Sequence, residues 1–457
     1  MRSFFCILFS AFMLQAAAQQ RHYEQNIGWR GSYIELHTIS DKNKQQSCTF
    51  IAGEDSIRAL LFNNQVQLVQ QFSFPRTRGQ KIQGGFIRDG KVYLFLQGNN
   101  DEEFHNWVLD IAAGTARDQL VPFELNKQKV VDHLSGGDRF IYLTSTNKTN
   151  QLNIYTLWGE AQVDTMSYRF NEDAWDDLAK TEMGGHKVTL TKVDMEGECP
   201  ADIAFHANKL YLRRDTLLLV MNDRLDSTQI YSFDITHKKV DNWLVQHQAH
   251  NNTKTDNTFI LDNQLFYMAA SIDSLCLQIS DLYSGAIKKT FVARAEENIA
   301  FKNTPVMQTG GFYAKGNTRE LSKTIQILRN IKNSNAVVAA TVNSNGQLEL
   351  VVGAYEKAQS TPMMMSGSMA CGPMFMIPTG GFYRHGRGKA VRFKVLLDAH
   401  TLEHIDGDPD DSINEKIDAF TKDIKIPTNA ENLFVTNGVY YHAYYDKDER
   451  KLVILKF

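Results

Sequence analysis

The sequence predicts an all-β chain of six or seven four-stranded antiparallel sheets arranged radially, closed into a ring by pairing of the N- and C-terminal strands, with short helical insertions. Three observations predict it. A hairpin with a tight Asn/Gly/Asp turn recurs along the chain, a second hairpin with an Asp before its turn follows it in several copies, and a Gly-Gly-Phe echo appears three times. Composition agrees: 457 residues with 43% hydrophobic, 22% charged and only 9 Pro exclude a disordered or collagen-like chain. A formal charge of -3 gives no global positive field, so nucleic acid is not an expected partner.

Residues 1–18 read as a secretory signal peptide: Arg2, an apolar run from Phe4 to Leu14, then Ala16, Ala17 and Ala18. The run is too short to span a hydrocarbon core, and no later segment reaches the roughly 18 to 20 apolar residues a membrane helix needs. Cys6 has no small-residue pattern ahead of it, so a lipid anchor is not expected. The expected location is the periplasm or the extracellular space of a bacterium. Residues 19–457 are expected to form one domain with insertions near 159–200, 358–388 and 406–428. Its cysteines, Cys48, Cys199, Cys276 and Cys371, form no C-x-x-C, and a chain of this length buries a sizeable core without staples. Buried free thiols are therefore expected over disulfides. Asn147 and Asn251 open N-glycosylation sequons.

The first hairpin is read as FIRDGKVYLFL around Gly90, HLSGGDRFIYL around Gly137, AFHANKLYL around Asn208, FILDNQLFYM around Asn263 and LFVTNGVYYHAYY around Gly438, with looser copies near Asn64 and Asn335. Asn and Gly tolerate the positive φ such turns require, and β-branched or aromatic flanks favour strands. The second hairpin turns at Asp110, Asp234, Asp281 and Asp398, with a version lacking Asp around Trp158. Two hairpins make a four-stranded sheet, and radial repetition of such sheets protects their edges. On these motifs the sequence resembles β-propeller repeat proteins over nearly all of residues 19–457, without a WD or kelch signature. The resemblance implies a six- or seven-bladed β-propeller. First-hairpin spacings near 47, 71 and 55 residues leave the count between six and seven. The last strand, Lys451 to Phe457, is expected to close the ring against Ser32 to Ile39. The echoes at Gly84-Gly85-Phe86, Gly310-Gly311-Phe312 and Gly380-Gly381-Phe382 are expected to mark strand starts with close backbone approach. Phe170–Gly185 and Asp410–Lys425 are expected to hold short helices, the second with Ile413, Ile417, Phe420 and Ile424 at helical spacing.

The segment the repeat does not explain is Thr361 to Pro378, TPMMMSGSMACGPMFMIP, which holds Met363, Met364, Met365, Met369, Met374 and Met376 beside Cys371. Soft thioethers admit Cu(I) binding, an adaptable contact loop for a partner or a membrane surface, or a long hairpin folded on the protein itself. No histidine lies within the loop and its methionine spacing is irregular, so no metal or other cofactor is expected. A basic run follows, with Arg384, His385, Arg387, Lys389, Arg392 and Lys394, the last two on one strand face with polar exposure.

Local enzyme motifs are missing: there is no H-E-x-x-H, no G-x-S-x-G and no phosphate loop. His247-x-x-His250 and His400-x-x-x-His404 lack a third zinc ligand, and a calcium loop opening at Asp406 would lack Gly at position six and Glu at position twelve, where Ile417 stands. These residues predict an exported binding or scaffold protein of the cell envelope. Its partner would be a protein or glycan met through the Met-rich insertion with Arg384 and Arg387. The alternative is a carbohydrate-active enzyme, a glycoside hydrolase or lyase, whose carboxylates converge on the central tunnel from separate blades and leave no local motif.

Overall fold

The computed structural model describes residues 21–457 apart from 30–32, 99–103, 122–124, 126–127, 147–148, 161, 183–184, 196, 249–251, 311–317, 344, 358–387 and 428. The signal segment, Cys371, Asn147, Asn251 and the third Gly-Gly-Phe echo lie outside the described residues.

Seven blades form a β-propeller. Blades 1, 2, 3 and 5 are four-stranded antiparallel meanders beginning at Glu35, Lys81, Lys129 and Thr255. Blade 4 runs from Asn208 to Gln246, blade 6 is built around the strand Asn335–Val342, and blade 7 begins at Glu431. The first strand of each is the innermost. The turns between first and second strands and between third and fourth strands lie on one face of the ring, here the lower face. The turns between second and third strands lie on the upper face.

The predicted turns have a common chemistry. Asp89 and Gly90 carry φ of 51° and 71°, and Asn437 and Gly438 carry 52° and 74°, as a two-residue turn between twisted strands requires. The recurring Asp of the outer hairpins caps its own turn: Asp110, Asp234, Asp281 and Asp398 each accept a backbone N–H from three residues on, at 2.9, 2.8, 2.9 and 2.7 Å.

Several expectations are corrected. Asn208 opens the first strand of blade 4, whose hairpin turns at Arg214, where φ is 53°. Asn335 likewise follows a helix, Thr324–Lys332, which buries Thr324, Ile327, Leu328 and Ile331 and which the sequence reading missed. The turn near Asn64 joins the third and fourth strands of blade 1, not the first and second. Asp398 turns the chain, but only one bridge, Leu397 to His404, follows it. The fourth place in blade 6 is taken by Val306–Thr309, from earlier in the chain, which pairs antiparallel with Lys389–Leu397 and carries Arg319–Leu321 on its outer side. Gly310 therefore ends a strand where a start was expected. Gly84 and Gly85 lie inside a strand, and a Cβ on Gly85 would collide with the carbonyl of Tyr93.

The ring does close through the chain's two ends, with a different partner. Lys451–Lys456 pairs with Arg21–Asn26, Glu24 facing Val453 and Asn26 facing Lys451. Arg21–Asn26 is mostly exposed, which suits an outer edge. Glu35–Ser40, whose Leu36, His37 and Ile39 are buried, is instead the inner strand of blade 1. There Thr38 N donates to Asn432 Oδ1 of blade 7 at 3.1 Å.

The two helices expected from sequence are present. Glu172–Leu178 is capped by Asn171, whose side chain accepts from Ala174 N. Ile413–Thr421 has a capping box, with Ser412 Oγ accepting from Glu415 N at 3.0 Å and Glu415 Oε2 accepting from Ser412 N at 2.9 Å.

The described residues of 189–207 run along the inner side of the ring. Thr191–Val193 pairs in parallel with the inner strand of blade 4, and Ala201–Ala204 forms a short helix against the inner strand of blade 6. Phe205 then stacks on Tyr355 with ring centres 5.0 Å apart. Val193, Cys199 and Ala204 join the hydrophobic cluster that continues through blades 4, 5 and 6. Cys48, Cys199 and Cys276 are free and buried, and burial pushes all three thiols up, Cys276 to about 12. No helix among the described residues is long and apolar enough to cross a membrane.

Candidate functional site

Two places gather the residues with chemical potential: the upper end of blade 6 and the inner face of the ring.

At the upper end of blade 6, Leu348–Glu356 and Lys389–Leu397 stay in register to their last pair, Glu356 with Lys389. The connection between them, 357–388, contains Met363, Met364, Met365, Met369, Met374, Met376, Arg384 and Arg387, all outside the described residues. Its root is closely packed. A Cβ on Gly310 would strike the carbonyl of Gly388, and one on Gly388 would strike the Tyr355 ring, so the backbones meet where only glycine fits. The connections after Thr309 and after Glu356 thus leave the same edge.

The rest of the basic run is not the exposed face expected from sequence. Arg392 and Lys394 do share a face, but that face is internal. Lys394 Nζ lies 2.9 Å from Glu349 Oε1 and 3.4 Å from Glu415 Oε2, and Arg392 lies 3.3 Å from Glu415 Oε1. Lys394 and Glu349 side chains are only 12% and 6% exposed. Burial works against the charge of Lys394, yet Glu349 and Glu415 hold its pKa above the usual value. Burial likewise works against Glu415, but the Ser412 N–H, Lys394 and Arg392 keep it below the carboxylate range.

Glu198, on the inner segment, completes this group. Burial raises its carboxyl to about 7; Lys394 opposes the rise, and Glu349 and Glu415 add to it. Carboxylates from the inner segment, blade 6 and the Ile413 helix are thus coupled electrostatically. Their sequence surroundings share no motif, so nothing local could have grouped them. On the same inner face Lys192 acts on Asp132 and His133 of blade 3. Burial raises Asp132 and, with Lys192, holds His133 well below its ordinary value.

A second buried polar group ties the inner segment to blades 4 and 5. Lys209 is fully buried, donates to the His206 carbonyl, and reaches Asn257 Oδ1 at 2.7 Å. Desolvation lowers it to about 7, although Cys199 and Asp256 pull it upward. Asp256 is itself raised to about 7 by burial. The fully buried, bonded ammonium reads as an anchor.

Of the histidine pairs, His250 lies outside the described residues. His247 stacks on Tyr267 at 3.7 Å and meets Thr228 Oγ1 at 2.7 Å, while His404 meets Asn303 Oδ1 at 3.1 Å. Gly407 and Asp410 lend carbonyls to Asn303 and Lys394. No group of three or more His, Cys, Asp or Glu among the described residues is arranged to hold a metal ion.

No family model matches the chain, and no curated protein matches it. Among solved structures it is similar to cobalt-substituted Synechocystis ACO at 11% identity and a TM-score of 0.31, covering 60% of this chain and 64% of that one. An ACO/RPE65 chimera is similar at 10% identity and a TM-score of 0.30, covering 58% and 62%. The chain spans less than two thirds of the length of either. The sheet order alone establishes the fold.

Proposed function

We propose that this chain is an exported binding or scaffold protein of the bacterial cell envelope, contacting a protein or glycan through the upper face of blade 6 and the Met-rich connection. The observation that carries the reading is the intact pairing of Leu348–Glu356 with Lys389–Leu397 up to Glu356 and Lys389. The blade is complete without the connection, since a two-residue turn would join these strands. Six methionines in Thr361–Pro378 supply a soft apolar surface that repacks around varied ligands, and Arg384 and Arg387 give it a basic flank suited to anionic groups. The test replaces Thr361–Pro378 by a short Gly/Ser turn. Both forms should show the same circular dichroism, and an envelope partner retained by the intact chain should be lost by the variant. Equal recovery by both forms would move the contact surface elsewhere.

The carboxylate group favours a second reading, acid–base chemistry on carbohydrate. A Glu198 carboxyl held near 7 within the field of a Glu415 carboxyl kept low matches the division of labour between a proton donor and a charged partner. Under this reading Glu198→Gln lowers turnover of envelope polysaccharide by about a hundredfold or more without shifting the thermal transition. Equal turnover by the two forms would remove it.

A further inference from the structure

A cleft of about 520 Å³ opens on the lower face, between blade 7 and the outer hairpin of blade 1. It lies away from the Met-rich connection, which leaves the upper face. We propose that this cleft is a binding site for a short acidic saccharide. The volume falls within the range of small-molecule sites.

The lining has the chemistry such a ligand needs. Tyr23, half-buried, supplies a ring with a polar tip that meets the apolar face and hydroxyl edges of a sugar ring, above a floor that includes the buried Tyr441. Gln65, Gln67 and Asn437 present exposed amides, each a donor beside an acceptor, the pair that neighbouring hydroxyls match. Lys456 is the cationic side chain of the wall, and no carboxylate is among its ten lining residues. An anionic ligand is therefore favoured over a cationic one.

The walls are held before any ligand arrives. Tyr441 stacks on Phe434 with centres 5.5 Å apart, and Tyr23 meets Phe62 edge-on at 5.0 Å. His22 Nε2 donates to the Gln65 carbonyl at 2.7 Å. The turn carrying the amides is fixed by Asn63, whose Oδ1 accepts from Gln65 N and Gln67 N at 3.0 Å each.

Blade 6 provides an internal comparison. Asn343–Gln347 forms the same turn, with Asn343 Oδ1 accepting from Asn345 N and Gln347 N at 3.0 Å, and it places Gly346 at the left-handed position, φ 75°. Blade 1 places Val66 there instead, at φ 55°, a conformation that strains a β-branched residue. The Val66 side chain is 1% exposed and packs into the hydrophobic cluster that includes Phe62 and Tyr441. The strained residue thus packs the cleft floor against the ring-closing blade, and an unstrained glycine would leave that floor open. Preorganisation of this kind lowers the ordering cost of binding.

The test titrates the exported chain with trigalacturonate, cellotriose and inorganic phosphate while following the Tyr23 and Tyr441 ring resonances. Trigalacturonate is expected to bind at least about fivefold more tightly than cellotriose. Lys456→Ala should erase that difference, and Gln65→Ala should weaken both sugars. Both side chains are exposed, so neither variant threatens the fold. The proposal is overturned if neither saccharide shifts the tyrosines at roughly 10 mM, a Kd corresponding to only a few kcal/mol. Equal affinity for the two sugars, displacement by equimolar phosphate, or indifference to both variants would also overturn it.

Discussion

Measured against Lys209→Met, the wild-type chain is expected to gain stability as pH rises from about 7 to about 10, by on the order of 4 kcal/mol. Desolvation holds the native Lys209 near 7, whereas an unfolded lysine titrates near 10.4. Between those values the unfolded chain binds the extra proton, so unfolding becomes harder as pH rises. Below about 7 both states are charged, and the native chain bears the full cost of a buried ammonium. The comparison with the variant is essential because other groups titrate nearby. The buried thiols, raised in the native chain, act in the opposite sense above about 8.5. Chemical denaturation of both proteins across that pH range provides the measurement. A flat difference would mean that Lys209 keeps its charge when folded.

Lys394→Met is expected to lower the unfolding free energy by roughly 3 kcal/mol at neutral pH. The substitution preserves much of the apolar stem but strips Glu349 and Glu415 of their shared cation, leaving carboxylates in a site where burial already works against their charge. The double variant Lys394→Met with Glu349→Leu should recover much of the loss, because it removes the stranded charge along with its partner. Urea midpoints for the two single variants and the double variant give the coupling directly. Additive losses would mean that the bridge contributes nothing of its own.

The two lysines show where reading along the chain stops. The alternation in Lys389–Leu397 correctly puts Arg392 and Lys394 on one face, but alternation carries no information on what that face meets. The Ile413 helix covers it and brings Glu415, 21 positions beyond Lys394. Glu198 is still less legible, since it joins the group only because 189–207 runs along the inner side of the ring. The pocket-forming Asn64–Gln67 turn was visible as a turn, yet its partner wall at Tyr441 lies at the other end of the sequence.

What the sequence determined by itself is local: the tight turns at Gly90 and Gly438, the Asp-capped outer hairpins, the helices after Asn171 and Ser412, and hence the four-stranded repeat and its radial closure. These follow from backbone φ preferences, capping and period-two alternation, which act within a few residues. Tertiary structure alone decided which distant strand fills an open edge. Val306–Thr309 takes the fourth place in blade 6 that the residues after Asp398 leave vacant, and Arg21–Asn26 takes the outer place in blade 7. An edge strand is chosen by unpaired backbone groups that any extended segment within reach can satisfy, and reach is set by the closed ring.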